Sequence, residues 1–178
     1  MYADNFHQIA EKLGVNLPLK ISLLSHIESR PILGKALDGE GRIEKFRNLL
    51  SQLVKHEITI EESYESIQLL LPESASPHAG NKRVFPAGWG ERLIWIQLSR
   101  FYNQCVLVEL RDNGIKECFV PHSSHEDAES ECSLFIAGRN NDVETLLARL
   151  ISCYEEGVYD KQHRIPHHPH CTHVIKPV

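Results

Sequence analysis

The sequence contains no long apolar run. Hydrophobic residues make up 42% of its 178 residues and charged residues 24%, as is ordinary for a globular protein in water. No stretch approaches the roughly 18 consecutive apolar residues that a membrane-spanning helix requires. Met1 is not followed by the basic and apolar regions of a signal peptide. We therefore expect a cytoplasmic protein with no membrane partner.

Positive charge is in short supply. The chain has 19 Lys and Arg against 24 Asp and Glu, a net charge of −5 at pH 7. Nucleic acids and anionic membranes attract excess positive charge, so nucleic acid is an unlikely partner. Residues 9–16 are nevertheless typical of the first helix and turn of a helix-turn-helix. The apolar Leu19, Ile21 and Leu23 that follow offer little to a phosphate backbone, which leaves a DNA-binding regulator as a minor alternative.

Cysteine is scarce, and the common catalytic motifs are missing. The five cysteines lie between positions 105 and 171, and an odd number fits reduced thiols or metal ligands better than disulfides. The sequence has no phosphate-binding loop, dinucleotide fingerprint or Gly-x-Ser-x-Gly elbow. A nucleophilic Cys118 or Cys171 with a histidine base is weakly supported, because neither lies in the glycine-rich or helix-N-terminal setting that lowers a thiol pKa.

The densest polar feature is the C-terminal run 163–175. Residues 163–173 hold five of the eleven histidines and one cysteine. Pro166 and Pro169 exclude a helix, so we predict an extended segment in which side chains alternate. Two chelating pairs are then expected on opposite sides of the segment: His168 with His170, and Cys171 with His173.

A second polar cluster follows a predicted strand, in the loop 122–129. It carries two histidines and three carboxylates, and loops after strands often carry function. If the loop meets the C-terminal run, the two can bind zinc or another divalent transition metal. The candidate ligands are His122, His125, Asp127, His168, His170, Cys171 and His173. The simpler interpretation of both stretches is a solvated polar surface.

A metal site of this kind allows two roles. A catalytic metal keeps one coordination position open for water, whereas a structural metal is closed by four protein ligands. In the catalytic case Glu126 is the expected base, and the protein is a metal-dependent hydrolase. The alternative is a non-enzymatic interaction or regulatory module, in which the N-terminal helices present Ile43, Phe46 or Leu50 to a protein partner.

Hydrophobic periodicity predicts a helical first half. Residues 4–14 show a short helical pattern, and residues 43–54 carry the clearest apolar stripe. A capping box formed by Thr59 and Glu62 opens a further helix that ends before Pro72.

The second half is predicted to mix helix and strand. Residues 91–112 fit a helix, because apolar residues recur at intervals of 3 and 4. They also fit a hairpin, but the hairpin needs an extra turn within 101–104, which contains one good turn residue. Strands are predicted at 115–120 and 133–137, and a last helix at 143–154.

The predicted fold class is α+β, with a helical unit packed against a smaller mixed unit. The helical unit covers 1–72, a linker loop covers 73–88, and the α+β unit with the His/Cys-rich segment covers 89–178. Small and turn-forming residues mark the linker. Neither unit is large enough to be stable alone, so we expect a shared core. The apolar Val174 and Ile175 predict that the C-terminal run folds against the second unit.

Overall fold

The structure is a computed structural model that describes residue 9 and residues 13–176. In this range six α-helices and one two-stranded antiparallel sheet form a mixed α+β fold dominated by helices, as predicted. The elements are α1 (Leu17–Ser29), α2 (Arg42–Lys55), α3 (Ile60–Leu70), α4 (Trp89–Asp112), β1 (Glu117–Val120), α5 (Glu131–Phe135), β2 (Arg139–Asp142) and α6 (Val143–Tyr154).

Local sequence signals explain where the helices of the first half begin. Asn16 caps α1 by accepting a hydrogen bond from the Leu19 N–H at 3.1 Å. The capping box predicted for α3 is confirmed: Thr59 Oγ1 accepts from the Glu62 N–H at 3.1 Å, and the Thr59 N–H donates to the Glu62 carboxylate at 2.7 Å. The helix predicted over 4–14 lies largely outside the described residues.

Helix α4 is the centre of the fold. The helical prediction for residues 91–112 is confirmed and the hairpin is excluded. The helix packs against α1, α3 and α6, and buried apolar side chains from Ile9 to Ile175 form one continuous core. The two halves therefore share a core. Although α4 has 24 residues, neither it nor any other helix in the described part of the chain is apolar enough to span a bilayer.

The strand predicted over residues 133–137 is wrong. Ser130 Oγ accepts a hydrogen bond from the Ser133 N–H at 3.3 Å and thereby caps the short helix α5. The second strand begins only after Gly138, whose φ of +71° favours glycine and ends the helical stretch. It then pairs antiparallel with β1. The apolar run 134–137 is compatible with either structure, and the cap decides in favour of a helix.

The residues proposed for a partner surface belong largely to the core. Phe46 and Leu50 of α2 are fully buried, and Ile43 is partly buried against the same core. A partner surface built on this stripe is excluded, because the stripe already packs inside the chain. Binding of a partner through other faces of the N-terminal helices stays a prediction.

The C-terminal segment, residues 155–176, folds against the second half as predicted. It contains no helix or strand. Val174 and Ile175 are fully buried, and the Ile175 N–H donates to Asn103 Oδ1 of α4 at 2.9 Å. Val174 and Ile175 therefore anchor the segment in the core, and this anchor fixes the path of the histidines that precede them.

Candidate metal centre

One group of metal-ligating side chains is assembled from three parts of the chain. Glu126 comes from the loop after β1, Cys132 from the first turn of α5, and His168 and Cys171 from the C-terminal segment. Their ligand atoms all lie within 4.8 Å of one another. These four residues are the Cys/His/Glu cluster.

The C-terminal segment bends sharply to deliver two of these ligands. The Cys171 N–H donates to the His168 carbonyl oxygen at 2.9 Å and closes a turn with Pro169 at its second position, where the fixed φ of proline is favoured. The extended conformation predicted here is wrong, so His168 lies beside Cys171 instead of opposite it. His170 occupies the third position of the turn and is exposed. Its ring meets Trp95 edge-on, with centroids 6.2 Å apart.

Two distances within the cluster are close to those between neighbouring ligands of one tetrahedral metal ion. With the usual bond lengths, sulfur and nitrogen ligands of one ion are about 3.6 Å apart, and nitrogen and oxygen ligands about 3.4 Å apart. Cys132 Sγ lies 3.3 Å from His168 Nε2, and His168 Nε2 lies 3.4 Å from Glu126 Oε1. The three atoms are thus spaced like ligands of one ion, and Cys171 Sγ lies within 4.8 Å of each of them.

Glu126 is held in place by the segment that it faces. Its Oε2 accepts a hydrogen bond from the Thr172 N–H at 3.0 Å, and the Thr172 hydroxyl donates to Ser123 Oγ at 2.7 Å. The Glu126 side chain is only 7% exposed. Burying a carboxylate is costly unless donors or a cation compensate. The residue predicted as a base thus has its carboxylate among the ligand atoms.

The pKa values of the two thiols in the cluster are shifted in opposite directions. A hydrogen bond with Cys171 holds the pKa of Cys132 well below its usual range, and His168 and His173 act in the same direction. The same contact raises the pKa of Cys171, while the hydrogen bond with Cys132 raises the pKa of His168. Thiolate and imidazole at this spacing suit a soft divalent cation, which binds by displacing their protons.

His173 is a fifth donor at the edge of the cluster. It is fully buried, and its Nδ1 lies 3.8 Å from both Cys171 Sγ and Glu126 Oε2. Its Nε2 has no hydrogen-bond partner among the described residues. The side chain therefore borders the cluster, but it is not one of the four residues whose ligand atoms all lie within 4.8 Å of one another.

Three of the predicted ligands in the loop after β1 lie outside the cluster. His122, His125 and Asp127 are exposed, and Asp127 Oδ1 accepts a hydrogen bond from the Glu129 N–H at 2.9 Å. The loop turns Glu126 inward and leaves its charged neighbours in solvent. His170 also lies outside the cluster. Of the predicted ligands, the fold therefore brings His168 and Cys171 together and leaves these four apart.

Cys132 is the one member of the cluster that the sequence does not mark as a candidate ligand or base. It is 36 residues from His168, so no short spacing motif connects the two. A usable signal was present: Ser130 followed by Glu131 is typical of a helix start. That signal places Cys132 in a first helical turn, where the thiolate form is favoured.

Cys118, the other nucleophile considered from the sequence, is buried in β1. Burial raises the pKa of its thiol to about 11. Cys105 is buried in α4, and burial raises the pKa of its thiol to about 12. Both are thiols at neutral pH and therefore poor nucleophiles.

No protein-family model matches the chain, and neither the curated proteins nor the solved structures include a significant match. Function has therefore to be inferred from the chemistry of the site itself.

Proposed function

We propose that the chain binds one zinc ion, or a similar divalent transition metal, at the Cys/His/Glu cluster. The observation that supports this most directly is the convergence of two thiols, an imidazole and a carboxylate within 4.8 Å from three separate segments. Thiolate and imidazole ligands favour zinc over hard cations such as calcium and magnesium, which prefer oxygen.

The proposed role of this metal is structural. Four protein ligands fill a tetrahedral sphere and leave no position for water, as in known structural zinc sites. Burial agrees with a closed site, because Cys132 and Cys171 are 0% and 3% exposed. The ion joins the loop after β1, helix α5 and the C-terminal segment, so that its binding energy becomes folding energy.

A metal-dependent hydrolase is the second candidate. Cys132, Cys171 and His168 alone make the two-thiolate, one-imidazole set of some catalytic zinc sites. Glu126 then serves as the base beside the open position. The observation in favour is that the His168 side chain is 32% exposed, which gives this side of the cluster contact with solvent.

Metal analysis of untagged protein tests the structural proposal. One equivalent of zinc or another transition metal should survive extensive dialysis, and Cys132→Ser should lose it. Cys105→Ser is the matched control, because Cys105 is similarly buried but lies outside the cluster. Wild-type protein without tightly bound metal, or a Cys132→Ser variant that keeps it, contradicts the proposal.

Glu126→Gln separates the two roles. If Glu126 is a ligand, metal affinity should fall at least about tenfold, as it does when ligation is disturbed in other sites. If Glu126 is a base, metal affinity should be unchanged and hydrolysis of an activated ester should be lost. Glu129→Gln, an exposed residue of the same loop, should leave both properties as in the wild type.

A further inference from the structure

A second group of metal-ligating side chains lies next to the first, at the surface. It consists of Glu131 of α5 with His163 and His167 of the C-terminal segment, whose ligand atoms lie within 4.8 Å of one another. Glu131 Oε2 is 2.9 Å from His167 Nε2 and 3.8 Å from His163 Nδ1. The function proposed above uses none of these three residues.

An ordinary ion pair accounts for only part of this arrangement. The contact between Glu131 and His167 has the length of a charge-assisted hydrogen bond. His163 Nδ1 is different: it is buried and has no hydrogen-bond partner among the described residues. The carboxylate oxygen that it faces, at 3.8 Å, is too far away for a hydrogen bond. A buried polar atom without a partner is costly, and a cation held between the carboxylate and both imidazoles removes that cost.

The His163 ring is fixed before any ion binds. It stacks on Phe135 with ring centroids 4.3 Å apart and planes 6° from parallel. Arg149 Nη1 donates to the His163 carbonyl oxygen at 3.1 Å, and the Tyr154 hydroxyl donates to the Pro166 carbonyl oxygen at 3.0 Å. These contacts hold the backbone between the two histidines, so ligation requires little further loss of conformational freedom.

We infer that Glu131, His163 and His167 form a second divalent-metal site, separate from the Cys/His/Glu cluster and open to solvent. Two imidazoles and one carboxylate are the donor set of catalytic zinc and non-haem iron centres, and three ligands leave coordination positions free. The three residues line a cavity of about 580 Å³, and the Glu131 side chain is 65% exposed. Water therefore has direct access to the ion.

The two sites are interleaved along the chain. Glu131 and Cys132 are neighbours in α5, and His167 and His168 are neighbours in the C-terminal segment. In each pair the first residue belongs to the open site and the second to the Cys/His/Glu cluster. The open site differs in having no thiol. Cobalt(II) bound there therefore lacks the thiolate absorption that cobalt(II) bound at the cluster would show.

Titration of the metal-free full chain with cobalt(II), under reducing conditions, tests the inference. A cobalt–thiolate bond absorbs strongly in the near ultraviolet, which imidazole and carboxylate ligands do not reproduce. We expect the wild type to bind two equivalents, and His163→Ala to bind one with the thiolate absorption intact. His170→Ala, which removes an exposed histidine of the same segment outside both groups, should still bind two.

The outcomes separate this inference from the proposed function. One equivalent in the wild type, with thiolate absorption, overturns the open site and leaves the cluster standing. One equivalent without thiolate absorption, lost in His163→Ala, supports the open site and contradicts the cluster. An unchanged stoichiometry in His163→Ala overturns the open site. If that variant does not fold, Glu131→Gln replaces it, because Glu131 is largely exposed and its loss should weaken the second equivalent alone.

Discussion

Helix α2 and the C-terminal segment are anchored in the same core by different means. Helix α2 contributes a continuous apolar stripe of buried side chains, and each of them adds a share of burial energy. The C-terminal segment has no regular secondary structure. It depends on a few buried apolar residues, on hydrogen bonds to its neighbours and, in our proposal, on metal. Stability spread over many contacts tolerates the loss of one, whereas stability concentrated in a few does not.

Removal of metal should give the largest effect and should act on one region only. With excess chelator and a thiol reductant, we expect the C-terminal segment to become sensitive to protease and the protein to lose about 4 kcal/mol or more of stability, the value for a ligand at about a thousandfold excess over its Kd. Circular dichroism should show the helices of the first half retained. Chelator should have no further effect on the protease sensitivity of Cys132→Ser. If the wild type is equally resistant to protease with and without chelator, metal does not anchor the C-terminal segment.

Leu50→Ala tests the other side of the comparison. Leu50 is fully buried in α2, and its truncation should lower the free energy of unfolding by about 3 kcal/mol through lost burial and a residual cavity. Urea denaturation measures this loss, and metal content should stay at the wild-type value. Leu69→Ala, at a side chain that is 84% exposed, should change stability by less than about 0.5 kcal/mol. A Leu50→Ala variant that releases its metal would show that the two regions are not anchored independently.

Asn103→Ala should have the smallest of the three effects, and it isolates the metal-free part of the segment's anchor. Without Asn103 Oδ1 the buried Ile175 N–H loses its acceptor, at a cost of about 1 to 3 kcal/mol. Hydrogen exchange at the Ile175 amide should accelerate while metal stays bound. Asn140→Ala, which removes an exposed hydrogen bond to Glu117, serves as the control. No change in exchange at Ile175 would mean that burial alone holds this end of the segment.

Helices α2 and α3 were predictable because their signals are local, whereas α1 was not predicted as a separate element. The apolar stripe of α2 and the capping box at Thr59 and Glu62 are complete within a few residues of sequence. At residues 133–137 the local signals conflict: the apolar run fits a strand or a helix, and the cap at Ser130 favours the helix.

The site was predictable only in part, because it depends on contacts between distant residues. Composition alone marked His168 and Cys171 as candidate ligands. Their placement on the same side depends on a turn at Pro169, and their partner Cys132 is brought to them by the tertiary fold. The exposed His122 and His125 have the same side chain as His168 of the cluster. Only the direction in which their loop faces distinguishes them, and the sequence does not show that direction.

Helix α5 has consequences beyond its five residues. A helix of this length cannot persist through its own hydrogen bonds, since even isolated helices of about 12 residues are marginal in water. Three of its side chains contact the C-terminal segment: Glu131 contacts His167, Cys132 contacts His168, and Phe135 stacks on His163. We therefore expect the helix to lose its order whenever the C-terminal segment detaches, so that hydrogen exchange of the α5 amides should follow that of the segment.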